Sequence, residues 1–424
     1  MRDRRNILFI LIDCLRADVC FDKNRTVKTP VIDSLIKKGT AFTQTVSVAS
    51  ITLPSVGSIL TGVYPFLHGL TNFTMINPNC VTLPELLQEA GYNTYAMVSG
   101  PLIESRGVSR GFHRYLYRNR NESLFGPWGK ELITALQTKQ LREPWFLFLH
   151  LWELHVPRKV VRAFDSNTYG KNLYERSLAS IDYHLGDLMG SLDQDKTIIF
   201  LHGDHGENPN YPGPLLRLFL NIFYGDNKKG RGAFKNAFLK LIRRLRSYKS
   251  SSGFTLGHGR YLYDFLVRIP LIAVGRGIFP EGRMVNTQTS QVDILPTIID
   301  CLGLSGRIHQ RIHGRSLMPL INSDSSIDER PVYLQTGRYQ GIRTGRWKYI
   351  FNKSNPSASE LYDLVSDPQE RKNVITDHPE IVKELEEIRC KILSDDLGIH
   401  RQVLRLSERE RAMVEENLKE LGYL

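Results

Sequence analysis

The chain has 424 residues, of which 41% are apolar and 24% charged. That is the composition of a globular protein with a large core, and it excludes a disordered or fibrous chain. No stretch approaches 18 uninterrupted apolar residues, so hydropathy gives no spanning helix. The net charge is +12, but residues 228–249 hold nine Lys or Arg and no acid, so the rest of the chain carries only +3. A general nucleic-acid surface spreads its charge more widely, and no nucleic-acid partner is expected.

The N-terminus, Met1-Arg-Asp-Arg-Arg followed by Asn6 and a six-residue apolar run, mimics a secretory leader. The run ends in Asp13 with no small-residue cleavage site after it, so a buried first strand over Asn6–Ile12 and a cytoplasmic chain are expected. The five cysteines (14, 20, 80, 301 and 390) include no CxxC pair. Neither a disulfide framework nor a thiolate zinc site is expected from them.

Beyond the first strand, TPVIDSLIKKG (Thr29–Gly39) reads as a helix, with Thr29 as cap, Pro30 in the first turn and Gly39 as its stop. Thr82–Ala90 repeats the scheme and leads into a strand at Asn93–Val98. Trp145–Leu151 and Thr197–Leu201 are further buried strands, separated by a helix near Tyr174–Leu192. Ile269–Val274 and a helix at Val292–Cys301 continue the alternation. Continuous hydrophobic strands alternating with helices predict an α/β fold, a mostly parallel sheet covered on both faces. After about residue 325 the character changes. Tyr333–Leu334, Gly341–Arg343 and Trp347–Phe351 read as short antiparallel strands, and Pro379–Ser394 as an amphipathic helix. The expected division is a catalytic domain over 1–325 and a small α+β subdomain with a helical tail over 326–424.

Ligands of open α/β sheets bind beyond the carboxyl ends of the strands. Asp13 follows the first strand, His155 lies just past Trp145–Leu151, and Asp204-His205-Gly206-Glu207 follows Thr197–Leu201. A single Asp after a strand is as readily a cap or turn residue. In Asp-His-Gly-Glu two ligand types converge where a Gly lets the chain turn. Carboxylates plus one imidazole suit one divalent ion, Mn, Zn, Mg or Ca, and argue against a soft thiolate site. A second cluster, Ser50-Ile-Thr-Leu-Pro-Ser through Thr61-Gly62, reads as a helix start with Thr52 as N-cap. A hydroxyl at such a terminus faces backbone N–H groups that favour an anion. Beside a divalent ion it becomes a candidate nucleophile toward a phosphate or sulfate ester.

In this order, Asp13, Thr52-Leu-Pro-Ser55, Leu60-Thr-Gly62, His155-Val-Pro157, Asp204-His-Gly-Glu207, Gly257-His-Gly259 and Tyr263-Asp with Arg268-Ile-Pro-Leu271 resemble the sulfatase family of the alkaline phosphatase superfamily. The tail resembles it too, through Arg346-Trp-Lys-Tyr349, Glu360-Leu-Tyr-Asp-Leu364 and Asp367-Pro with Glu370 and Asn373. The resemblance covers nearly the whole chain. It implies a large α/β/α sandwich with a small C-terminal sheet and a metal-dependent ester hydrolase or transferase site. It further implies metal ligation by Asp13, Thr52, Asp204 and His205, substrate contacts at His155, His258 and Asn72, and catalytic roles for Thr52, His155 and His258. Asn72, in Leu70-Thr-Asn-Phe73, reads equally as a turn residue. His68 carries no assigned role, Asp182 reads as a helix-facing ion pair, and Asp293 as a cap.

Two departures bear on the chemistry. The family carries Cys or Ser, converted to formylglycine, where this chain has Thr52, and Arg where it has Val56. Threonine cannot give that aldehyde. Cys14 stands where a second acid is common, and reads as a small buried hydrophobe. The pattern favours a phosphoester or phosphodiester and a threonine nucleophile. A sulfatase using unmodified Thr52 and a non-catalytic binding protein on the same scaffold are the alternatives.

Residues 208–253 form an insertion between two site motifs, and their basic part places Phe234, Phe238, Leu241, Ile242 and Leu245 at helical spacing. One reading is a solvated helix packed on the body. The other is an interfacial helix over 215–249 that meets anionic lipid at the inner leaflet and admits a lipid-linked as well as a small-molecule ester. The oligomeric state is not legible.

Overall fold

Seven consecutive buried residues, Asn6–Ile12, form strand β1. It lies inside a nine-stranded sheet that also contains β2 (Thr40–Val46), β3 (Asn93–Val98), β4 (Arg114–Tyr117), β5 (Trp145–Leu151), β6 (Thr197–Gly203), β7 (Arg268–Val274), β8 (Arg283–Val285) and β9 (Thr289–Ser290). The spatial order is β4-β3-β5-β1-β6-β7-β2-β8, with β9 beside β2. The structure, a computed structural model, describes residues 4–119, 121–208, 258–322 and 329–420.

Alternate residues of β1 face opposite layers. Ile7, Phe9 and Leu11 join Phe146, Phe148 and Phe200 against Leu53, Val56, Ile59 and Leu60 of the helix Thr52–Thr61. Leu8, Ile10 and Ile12 join Leu147, Leu149 and Leu151 against Leu178, Ile181 and Leu185 of the helix Leu173–Gly190. Burial on both faces is why the strand reads as an unbroken apolar run. The sheet is parallel as expected except at β7, which runs antiparallel to both β6 and β2. A strand buried on both faces carries no alternation from which its direction could be read.

The register sets the active pole. Ile12 pairs with Leu151 on one side and Gly203 on the other, so the chain leaves β1, β5 and β6 at one level, at Asp13, Trp152 and Asp204.

A second, antiparallel sheet contains β10 (Val332–Thr336), β11 (Tyr339–Arg343), β12 (Trp347–Asn352) and β13 (Glu360–Asp363), in that order. One of its clusters takes in Leu385, Ile381 and Ile388 of the helix Pro379–Ser394. The other takes in Leu262, Leu266 and Val267, which lead into β7.

Two local readings change, and a third holds. Thr29 makes no capping bond and instead accepts from the Arg25 guanidinium. Asp182 makes no ion pair among the described residues; it accepts from Val31 N at 3.0 Å and Ile32 N at 2.8 Å, holding the start of the neighbouring helix Pro30–Lys38. Asp293 does cap, in a box with Ser290. Thr82 and Glu85 form a further capping box. The basic segment lies within 209–257, outside the described residues. Among the described residues no helix is long and apolar enough to cross a membrane.

Candidate active site

Thr52 is the first residue of its helix, with Ile51 at the N-cap, and its side chain makes no capping bond. This corrects the reading of Thr52 as N-cap, and it leaves the hydroxyl uncommitted to the backbone. The Oγ1 atom lies 3.2 Å from Asp13 Oδ2 and 3.3 Å from His205 Nε2. The helix is fixed from behind by His68, whose ring bonds Ser58 Oγ and Pro54 O at 3.1 Å each and caps Leu70 N. Gly57 is required there, because a Cβ would stand 2.5–2.9 Å from the His68 ring.

Asp204 Oδ1 accepts from Cys14 N at 3.0 Å and from its own neighbour His205 N at 2.7 Å. His205 Nδ1 bonds Gly206 O at 2.8 Å, so this nitrogen carries the proton and Nε2 presents a lone pair, 3.3 Å from Asp204 Oδ2. The sharp turn depends on Gly206, where a Cβ would meet Phe265 O at 2.1 Å.

Asp13, Asp204 and His205 can each bring one ligand atom within 4.8 Å of the others, and all three are buried. Two carboxylates and an imidazole lone pair converging in a buried place is a repulsive arrangement. Asp13 Oδ1 and Asp204 Oδ2 are buried and have no hydrogen-bond partner among the described residues. Burial, reinforced by the Asp13 charge, pushes the Asp204 carboxyl upward. The donor set and its orphaned oxygens fit a divalent cation.

Around this core stand residues of different visibility. His258 Nδ1 lies 3.2 Å from Glu207 Oε2. Burial opposes a charged His258, but the carboxylates of Glu207, Asp13 and Asp204 outweigh it and hold its pKa above the usual value. His155 stacks on Trp152 at 4.0 Å, 5.1 Å from the His258 ring, and burial pushes its pKa down to about 3. Sequence reasoning missed His150, which lies inside β5 with Nε2 3.6 Å from Asp13 Oδ2. It was hidden in an apolar strand, and only its place one residue before the strand end signals it. Glu207 was noted within its motif and given no role. Asn72 lies in the Thr71–Thr74 turn, where its carbonyl accepts from Arg106, and no hydrogen bond among the described residues ties its side chain to the centre. Val56, at the family's Arg position, is buried in the core.

The family model described as Sulfatase matches residues 5–304, and the one described as N-sulphoglucosamine sulphohydrolase, C-terminal, matches residues 254–394. Arylsulfatase K of Mus musculus is 23% identical over 441 residues, covering 90% of this chain and 78% of that protein. The N-acetylglucosamine-6-O-sulfatase of Bacteroides thetaiotaomicron is 22% identical over 479 residues, covering 88% and 82%. Among solved structures, phosphonate monoester hydrolase of Agrobacterium radiobacter superposes with TM-score 0.67 at 18% identity, covering 92% of this chain and 96% of that one. A protein solved in complex with its substrate D-glucosamine-2-N,6-O-disulfate gives TM-score 0.66 at 18% identity, covering 94% and 100%.

Proposed function

The chain belongs to the sulfatase family of ester hydrolases, and from that premise we propose that it cleaves a phosphate ester or diester with Thr52 as nucleophile. The observation that carries the reading is the Thr52 hydroxyl, which stands at a helix start, bonds no backbone group, and lies within 3.3 Å of both Asp13 and His205. Threonine supports phosphorus over sulfur because it cannot become the aldehyde nucleophile of sulfate-ester cleavage. The phosphonate monoester hydrolase likeness is in keeping with that preference.

Asp13, Asp204 and His205, with the Thr52 hydroxyl, would hold the divalent ion. When bound, the ion supplies Lewis-acid polarisation of the ester and makes the alkoxide accessible near neutral pH. Thr52 Oγ1 forms the new bond to phosphorus as the ester P–O bond breaks in line, giving a phosphothreonine. The leaving oxygen takes its proton from His258, which Glu207 holds at 3.2 Å in the charged form. Neutral, stacked His155 bounds the pocket beside it. Water attacking the phosphothreonine then returns the proton to His258. An alcohol in its place would make the reaction a transfer. Asn72 enters only as a rim residue toward the equatorial oxygens.

Nitrophenyl phosphate, bis-nitrophenyl phosphate, phenylphosphonate and nitrophenyl sulfate assayed in parallel, with Thr52→Ala as control, test the reading. Turnover of the phosphorus esters alone supports it. Turnover of the sulfate alone replaces it with a sulfatase using unmodified threonine, the reading that the named sulfatase relatives favour. No turnover and no bound ion would leave a binding protein.

The basic amphipathic pattern within 215–249 supports a peripheral role on anionic membrane, with a lipid-linked ester as substrate. Co-sedimentation with anionic and neutral liposomes, comparing the full chain with one in which 212–250 is a short Gly/Ser linker, tests it. Equal sedimentation of both proteins removes the role.

A further inference from the structure

Resting on the metal-dependent reading above, we propose that Gln291 is a positioning residue for the reaction: its side chain sets the spacing between Thr52 and the Asp204–His205 pair. Gln291 is wholly buried and opens the turn Gln291–Asp293 after β9. Strand β9 runs parallel to β2 and pairs Ser290 with Val46, so Gln291 and Ser47 leave the sheet side by side. The amide then bridges two segments that carry the site. Its Nε2 donates to Asp204 O at 2.6 Å and to Gly203 O at 3.3 Å. Its Oε1 accepts from Val48 N at 3.2 Å and lies 2.9 Å from Ser47 Oγ.

An amide has two N–H donors and a carbonyl oxygen with two lone pairs, and here each finds a partner. Neither glutamate nor methionine, the nearest in length, satisfies them. Glutamate cannot donate to both carbonyls, and methionine can hold none of the partners. A buried polar network of this kind is rigid only when every member is satisfied.

Each end of the amide holds a part of the site. The Asp204 carbonyl belongs to the peptide that joins Asp204 to His205, and the N–H of that peptide donates to Asp204 Oδ1 at 2.7 Å. Fixing the carbonyl therefore fixes the plane from which both side chains depart. At the other end Val48 lies four residues before Thr52. Ser55, in the Thr52–Thr61 helix, bonds back to this segment, its Oγ donating to Ala49 O at 3.2 Å. The Ser47 hydroxyl cannot hold the two segments alone, since its one proton faces Gln291 Oε1, Ala49 O and Asp204 O. The 3.3 Å between Thr52 Oγ1 and His205 Nε2 is thus set by a side chain that bonds neither. A catalytic constellation works only when its groups are held to within about 0.5 Å.

The test uses the full chain freed of metal by chelation, as wild type, Gln291→Met and Gln291→Glu. Methionine removes every bond of the amide, whereas glutamate keeps the acceptor toward Val48 and loses the paired donation to Asp204 and Gly203. Calorimetric titration with manganese(II) and with zinc(II) should show both variants binding about ten- to a hundredfold more weakly than wild type, the loss that an outer-shell partner causes. At saturating ion, with whichever of the four test esters the wild type turns over, kcat should fall while KM stays near its wild-type value. A glutamine that only supports the fold predicts a lower melting temperature with unchanged ion affinity and kcat. That result, or failure of both variants to fold, overturns the proposal and leaves the metal-dependent reading standing. A wild type that binds neither ion overturns both.

Discussion

Two clusters of buried charge lie on either side of the segment that carries His258, and they are built on opposite plans. On one side Asp264 receives a bidentate pair from Arg343, at 2.9 and 2.8 Å, and also bonds Lys348. Lys348, wholly buried, continues to Glu370 at 2.7 Å, and Glu370 accepts from Asp264 N at 2.6 Å. Two acids and two bases close on each other, and nothing from outside is required. On the other side Asp13 and Asp204 face each other beside the His205 imidazole, with oxygens that find no hydrogen-bond partner among the described residues. A buried charge is tolerable only when paired, so the first cluster reads as structure and the second as a donor set that fits a divalent cation. The balanced cluster also fixes Asp264, six residues after His258, onto the small sheet.

The largest expected effect tests the unbalanced side. Thr52→Ala should lower turnover by at least about 10³-fold, as loss of a nucleophile does, while Thr52→Ser keeps a measurable part of it. Because the Thr52 side chain bonds Asp13 and His205 and not the helix backbone, the melting temperature of metal-free Thr52→Ala should stay at the value of the metal-free wild type. A near-native rate in a folded Thr52→Ala protein would refute the role.

Breaking the balanced side should instead act on stability. Lys348→Met leaves two buried acids facing one guanidinium, and removing one partner of such a pair costs about 3–5 kcal/mol. In denaturant titrations, adding Glu370→Gln to Lys348→Met should recover part of that loss, giving a favourable coupling in the double-mutant cycle. Additive losses would mean that the cluster is not a unit.

Cation removal comes third. An ion present at 100 times its Kd stabilises the fold by about 2.7 kcal/mol, so chelation should lower the melting temperature of the wild type and leave that of Asp13→Asn unchanged. Without metal, Asp13→Asn should melt no lower than wild type, since it removes a like charge beside Asp204. A chelator-insensitive wild type would erase the contrast between the clusters.

The two clusters also differ in how far they could be read in the sequence. Asp13, Asp204 and His205 stand at the ends of strands whose unbroken apolar runs mark their own boundaries. Strands β3 and β5 were legible to the residue for the same reason, and so was the helix Pro379–Ser394, through its apolar stripe. The balanced cluster joins Asp264 to residues 343, 348 and 370, and no local pattern announces pairing over that range. His150 was masked by its apolar strand, and the direction of β7 by burial on both faces. Cys14 reads as a small buried hydrophobe and is buried, and only the fold shows that its sulfur also has polar neighbours. The turn chemistry of Asn72 was legible, and the bond of its carbonyl to Arg106, 34 residues on, was not.

The smallest effect belongs to a third kind of buried polar group, one satisfied by neutral hydrogen bonds. His68 is as buried as His205, but its ring is fully engaged by Ser58, Pro54 and Leu70. Burial pushes its pKa down to about 3, so it stays neutral. It needs neither a counter-charge nor a cation, and its function is to hold the helix that presents Thr52. Gly57→Ala tests this, since the new methyl would sit 2.5–2.9 Å from a ring anchored on both nitrogens. Neither side can yield without losing a hydrogen bond, and overpacking of this kind costs about 1–3 kcal/mol. The displacement begins five residues beyond Thr52, so turnover should fall as well, whereas the wild-type response of the melting temperature to chelation should persist. A Gly57→Ala protein with native stability would show that the His68 ring has room to move, and would remove His68 from the scaffold of the site.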